Sequence, residues 1–297
     1  MRVDRTAPPP EDPPPPATGL HEETYPQRRS RFSRRVAAAD ARRAVVIAVC
    51  LLAATWFAQR PLAQWTSASP SLSLYVIQPI VWMGFAGVSY RLYTGLPHAP
   101  RFSRVLTWVA FAAGVFQISI VTLSGLVFGF SDNPLAGNLA IYPRNALYFT
   151  TLVLGVEVTR AYVFHALRPL NETAAFVAVT VFFAAIVTPV GEWVGIHDTD
   201  TLFQVGFGRF LPALTLSAVA TAFVAVGGVL VSAAYRWPLL VFIWLFPILP
   251  DYEWPMRSLL WTALPMAAFF LARVIYSGTA EYETRYAEAV AEEGPAD

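Results

Sequence analysis

From residue 44 to residue 277 the chain is a series of apolar runs separated by short polar loops. A helical run of about 20 apolar residues matches the hydrocarbon thickness of a bilayer. Inside lipid the backbone must satisfy its own hydrogen bonds, so only helices or a closed barrel can span. The runs lack the two-residue alternation of barrel strands. They fall at 44–60, 71–92, 104–130, 145–167, 173–196, 209–235, 237–250 and 257–277. The expected fold is all-α, a polytopic transmembrane helix bundle of about eight spans. The seventh run, "WPLLVFIWLFPILP", is short and bracketed by Pro238, Pro247 and Pro250. It reads as a tilted half-helix or a re-entrant segment.

Composition agrees. Hydrophobic residues make up 56% of the chain and charged residues 14%, against about 25% charged in soluble domains. The net charge of +1 leaves no basic surplus for nucleic acid. Every basic residue is arginine. That bias points to a GC-rich bacterial genome, and it excludes Schiff-base, P-loop and Ser-Lys chemistry. The single cysteine, Cys50, lies in the first apolar run, so neither an intrachain disulfide nor a cysteine metal cluster can form.

The ends are polar. Residues 1–43 contain "APPPEDPPPP", a disordered polyproline-type segment, and then "RRSRFSRR" and "ARR" next to the first run. Arginines adjoining a span mark the cytoplasmic side. With the N-terminus inside, Arg91, Arg101, Arg104, Arg168, Arg236, Arg273 and Arg285 fall on that side, and Arg60, Arg144, Arg209 and Arg257 on the other. Eight spans then place both termini in the cytoplasm, including the acidic tail 278–297. The chain reads as a multi-pass plasma-membrane protein with the lipid bilayer as its first partner.

Charge at membrane depth costs at least about 2.5–3.5 kcal/mol at a helix centre, so it faces a partner or water. "LGVEVTRAYVFHAL" carries Glu157 and Arg160, three residues apart on one helix face, with His165 further on. Arg144 and Asn145 stand near the start of the same run. Glu157 lies about 18 Å from Asn145 at helical rise. The expected role of the pair is a structural pin, Glu157 meeting Arg160 or a polar group of another helix. A proton or ion relay is the functional alternative. The sixth run carries Ser217, Thr221, Ala225 and Gly228 at helical spacing, a ridge of small residues that admits a neighbouring helix.

A second polar set is expected on the outer face: Glu192, Arg209, Asp251, Glu253 and Trp254, near Trp193, Arg257 and Trp261. His197, Asp198 and Asp200 match no metal-ligand spacing, so no metal and no cofactor is expected. Ser124 in "TLSGL" lacks a G-x-S-x-G context, and H-E-x-x-H, Walker A and dinucleotide fingerprints do not occur.

"YPRNALYFTTLVLGVEVTRAYVFHAL" and "RWPLLVFIWLFPILPDYEWPMRSLLWTALP" resemble the multi-helix membrane region that accompanies type I signal peptidases of the archaeal and Gram-positive kind. The resemblance rests on a G-x-E-x-x-R-A-Y element, here Gly155, Glu157, Arg160, Ala161 and Tyr162. A later P-I-L-P-[DN]-x-x-W element is here Pro247, Ile248, Leu249, Pro250, Asp251 and Trp254. It covers roughly residues 100 to 277. Such a peptidase needs a serine in an S-M-x-P box with lysine or histidine as base; this chain has no Ser-Met pair and no lysine. The resemblance therefore implies a membrane module without the catalytic domain, an accessory of signal-peptidase-like processing with a peptidase or export component as partner. No catalytic residue is carried over. Two other classes stay open: a small-solute or ion transporter using the buried Glu-Arg pair, and an intramembrane hydrolase with Glu157 or Glu192 as base.

Overall fold

The computed structural model describes residues 25–59, 72–96, 103–137 and 139–293. The chain divides at Val36, and the packing that follows concerns the described residues after it. The long elements are α1 (Tyr25–Gln59), α2 (Gln78–Tyr93), α3 (Arg104–Phe128), α4 (Tyr142–Leu167), α5 (Glu172–Val187), short α6 (Val190–Val194) and α7 (Thr199–Val205), α8 (Leu211–Leu245) and α9 (Trp254–Glu293). Two π-helical segments, Ser73–Ile77 and Gly206–Phe210, lead into α2 and α8. Residues 1–24, with the proline-rich segment, lie outside the described residues, and helix begins at Tyr25, inside the stretch read as a polar tail.

Local chemistry sets the helix starts. The Ser103 hydroxyl accepts from Leu106 N at 3.3 Å and the Asn171 carboxamide from Ala174 N at 2.9 Å, each satisfying a first-turn N–H. Pro143 occupies the first turn of α4, where its missing N–H costs nothing. Four helical stretches are long and apolar enough to cross a membrane: Arg104–Phe128, Tyr142–Leu167, Thr199–Leu245 and Trp254–Ile275. The molecule is a helical membrane protein. Its apolar exterior, with Trp108, Leu126, Val127 and Val274 exposed, is the lipid-facing kind of surface.

Helix α8 does not run straight. Gly228 adopts φ 76°, ψ −162°, a region open in practice to glycine alone. Contacts on either side show a reversal there. The rings of Phe223 and Tyr235 lie 5.2 Å apart, whereas twelve residues of straight helix would span about 18 Å. Limb 211–227 runs with α4, as Ser217 and Thr221 meet Arg160 and Val224 meets His165. Limb 229–245 runs against α4, as Ser232 meets Glu157, Trp237 meets Phe149 and Trp244 meets Tyr148. The break expected between 235 and 237 is thus at Gly228. The seventh apolar run is the end of a full returning limb rather than a separate half-helix, and Arg236 is inside that limb rather than in a loop.

Helix α4 is the axis. Every residue from Gly155 to Ala166 is buried. Helix α2 runs beside it in the same direction, with Tyr148 donating to Gln78 at 3.3 Å and Ser89 to Thr159 at 3.1 Å. Gly155 makes this approach possible, because a Cβ there would lie 2.8 Å from Trp82 O. One apolar cluster gathers α1, α2, α4 and α5 around Phe164 and Phe183; another gathers α3, α8 and α9 around Tyr235 and Leu239.

At one end of the bundle β1 (Phe130–Asp132) and β2 (Ile248–Pro250) pair antiparallel, with Ser131 opposite Leu249. A two-stranded ribbon is marginal alone, and here side chains tie it down. Asn133 donates to the last carbonyls of α8, Ile243 O at 2.8 Å and Phe246 O at 2.7 Å. The Tyr252 hydroxyl donates to Val121 O at 2.9 Å and also meets Ser124. We call this the ribbon end and the opposite one the Gly228 end.

Candidate functional site

The first candidate is the charged cluster at the middle of α4. Glu157 is fully buried, and both carboxylate oxygens are engaged. Arg236 Nη1 donates to Oε1 at 2.7 Å and the Ser232 hydroxyl to Oε2 at 2.5 Å. Arg160 Nε lies 3.1 Å from Oε2, an ion pair by distance without the alignment of a hydrogen bond. Arg160 Nη1 donates to Ser217 O at 3.1 Å, to the Ser217 hydroxyl at 2.7 Å and to the Thr221 hydroxyl at 3.0 Å. The Ser217 hydroxyl passes the chain on to Thr180 O of α5 at 2.8 Å. The Arg160 guanidinium stands 4.6 Å from the Phe183 ring centre, a cation–π contact.

This network joins α4, α5 and both limbs of α8. It carries two arginines against one carboxylate, all buried. Burying charge is costly, and only pairing with added hydrogen bonds offsets it. The arrangement meets that condition at the carboxylate and less fully at the arginines, where Arg160 Nη2 and Arg236 Nε have no hydrogen-bond partner among the described residues. Ser217 and Thr221 matter here for their hydroxyls as much as for their size. Ser232 and Arg236 were absent from the sequence-derived site. Their signal was the four-residue spacing on one helix face, hidden because Arg236 precedes Trp237 and Pro238 and reads as the start of a loop.

Asn145, also fully buried, is a separate knot near the ribbon end. It donates to Leu135 O at 2.7 Å and Trp244 O at 3.0 Å and accepts from the Tyr75 hydroxyl at 2.8 Å. Arg144 beside it is exposed and joins neither cluster.

The second candidate is a cleft of about 210 Å³ at the ribbon end, lined by Glu192, Thr201, Gln204, Arg209, Trp254, Arg257 and intervening glycines. Glu192 Oε1 lies 3.7 Å from Arg209 Nε. Asp251 and Glu253 are exposed outside the lining. Asp198 caps α7, accepting from Thr201 N at 2.7 Å, and the Thr201 hydroxyl closes the capping box. That backbone bond, then the hydroxyl, holds the Asp198 carboxyl below its ordinary value.

No family model, curated protein or solved structure matches the chain. Among the described residues no group of His, Cys, Asp and Glu side chains could hold a metal ion.

Proposed function

We propose that the chain is a non-catalytic, eight-crossing plasma-membrane protein that serves as a membrane module of signal-peptidase-like processing, working at its ribbon-end face. The observation that carries this reading is the saturation of Glu157. A general base needs an accessible lone pair near a reacting atom. Both oxygens of Glu157 are instead held by Arg236, Arg160 and Ser232 inside a buried network. The group binds helices together, and the polar cleft with Glu192, Arg209 and Arg257 lies at the ribbon end.

Arginine placement supports the orientation. Arg91, Arg104 and Arg168 stand at helix ends at the Gly228 end, with Arg43 and Arg273 inside α1 and α9 toward that same end, whereas Arg144, Arg209 and Arg257 stand at the ribbon end. An arginine excess marks the cytoplasmic side. The ribbon end then faces outward, where exported chains are processed, and both termini lie in the cytoplasm. The two limbs of α8 supply the crossings that bring the count to eight.

The test is site-specific photo-crosslinking in native membranes from Asp251 and Glu253, with Arg168 as control. Capture of a peptidase or of unprocessed precursors from the ribbon-end positions alone is expected. Adducts lacking any processing or export component would sink this reading.

A second reading, a small-solute or ion transporter, draws on the π-helical segments at Ser73–Ile77 and Gly206–Phe210 and the break at Gly228, because such irregularities gather at functional sites. Its test is flux into proteoliposomes: Glu157→Gln would abolish a pH-dependent flux seen with the parent chain.

A further inference from the structure

The ribbon-end cleft has a composition that the processing role does not require. Arg209 and Arg257 come from different elements, the π-helical lead into α8 and the first turn of α9, yet both line one cavity with Glu192 as the only acidic liner. The cleft thus carries one positive charge in excess. Arg209 makes a single ion pair among the described residues, the loose 3.7 Å contact with Glu192. Arg257 makes none, and its Nη2 reaches only Tyr252 O at 3.3 Å. Most of the guanidinium donors therefore remain for a ligand. Guanidinium forks match phosphate oxygens geometrically, and charge-assisted bonds of this kind are among the strong ones. Gln204 adds a neutral donor, and Gly191, Gly195 and Gly208 keep backbone close to the cavity.

Size and surroundings narrow the class further. Pockets for drug-sized ligands begin at about 300 Å³, so about 210 Å³ suits a small polar group. Val194, Leu202, Phe203 and Phe207, sequence neighbours of the lining residues, are apolar and exposed, and Trp254 lines the cavity while remaining 45% exposed. These residues adjoin the entry to limb 211–227, a stretch apolar enough to lie in the bilayer. A ligand with an anionic head and acyl chains would place each part against matching surface, with Trp254 at the interfacial level such rings prefer.

We propose that this cleft binds a phosphate group, held between Arg209 and Arg257, with an anionic phospholipid head group as its source. The proposal does not depend on a processing partner. It is tested on the full chain in nanodiscs of phosphatidylcholine, with phosphatidylglycerol titrated in, and in a parallel arm with soluble glycerol 3-phosphate. Bound lipid is counted by native mass spectrometry, and ligand approach is read as a change in tryptophan emission lost in Trp254→Phe. Phosphatidylglycerol should be retained over phosphatidylcholine. Arg209→Gln and Arg257→Gln should each weaken retention about tenfold, the scale of one lost charge-assisted hydrogen bond. Arg144→Gln, exposed at the same end but outside the cleft, should change nothing. Since both cleft arginines are exposed, these variants should fold, which thermal unfolding checks. Saturable binding of glycerol 3-phosphate with the same arginine dependence, and no lipid preference, would support the phosphate site and overturn its lipid source. Binding of neither ligand, or binding equal in all variants, would overturn the proposal.

Discussion

Glu157 and Arg236, separated by 79 residues in sequence, meet at 2.7 Å in the buried centre of the bundle. The contact can form only because the chain turns back at Gly228. It brings the second limb of α8 against α4 while the first limb delivers Ser217 and Thr221 to Arg160.

Removing the carboxylate strands two buried arginines. Glu157→Ala should therefore destabilise by about 3–5 kcal/mol, the scale for breaking a buried pair from one side. Arg236→Met should cost less, because Glu157 keeps Arg160 and Ser232. The double variant should cost less than the two changes added together. Thermal unfolding in mild detergent measures all three. Additivity within about 0.5 kcal/mol would mean the residues are not coupled.

How much of this was legible beforehand divides along a physical line. Apolar runs announce themselves, because lipid demands about 20 residues of helix whatever the neighbours are. Glu157 and Arg160 also stand out, since charge in such a run needs an explanation. The partner across the bundle did not, because pairing at a distance of 79 residues leaves no local pattern. Arg236 sits just before Trp237 and Pro238, a context that mimics a helix boundary. Pro238 is nonetheless inside the helix, where neighbouring helices can satisfy the freed backbone groups. The reversal itself rests on one glycine among small residues, and only its dihedral angles distinguish a turn from a packing ridge.

That glycine gives the second prediction. Gly228→Ala places a side chain at φ 76°, ψ −162° and should cost about 1–3 kcal/mol of strain. Gly84, in α2, would meet nothing within 4 Å of an added Cβ, so Gly84→Ala should be neutral or slightly stabilising through helix propensity. Comparing melting temperatures of the two variants separates conformational strain from the general effect of adding a methyl. Equal shifts would count against a glycine-dependent reversal.

The capping box at Asp198 predicts a local pH dependence. Its carboxyl is held below the ordinary aspartate value by the Thr201 backbone N–H and hydroxyl. A depressed pKa in the folded state means the charged form stabilises the cap. That contribution is fully present above the ordinary value near 4 and is lost as pH falls through the lowered one. Amide exchange across Thr199–Val205 should accelerate in that acidic window after correction for intrinsic rates. In Asp198→Asn, which keeps an acceptor but does not titrate, the same amides should show no such step. An identical step in both would assign the effect to another group.

Orientation is open to a direct chemical test, because Cys50 is the only cysteine. In a Cys50→Ser background, single cysteines can replace arginines at opposite ends of the bundle. Arg144→Cys and Arg209→Cys report the ribbon end, where both parent side chains are exposed; Arg91→Cys and Arg168→Cys report the Gly228 end. If the arginine excess sets the topology, a membrane-impermeant maleimide added to intact cells should label the first two and spare the others. Permeabilisation should then expose the second pair. The reverse pattern would put the ribbon in the cytoplasm, and the processing role proposed for that face would fall with it. Labelling only Arg209→Cys would instead break the shared placement of α4's start and α8's start. That placement follows from Ser217 and Thr221 meeting Arg160 while Val224 meets His165, so such a result would contradict the parallel course of these two helices.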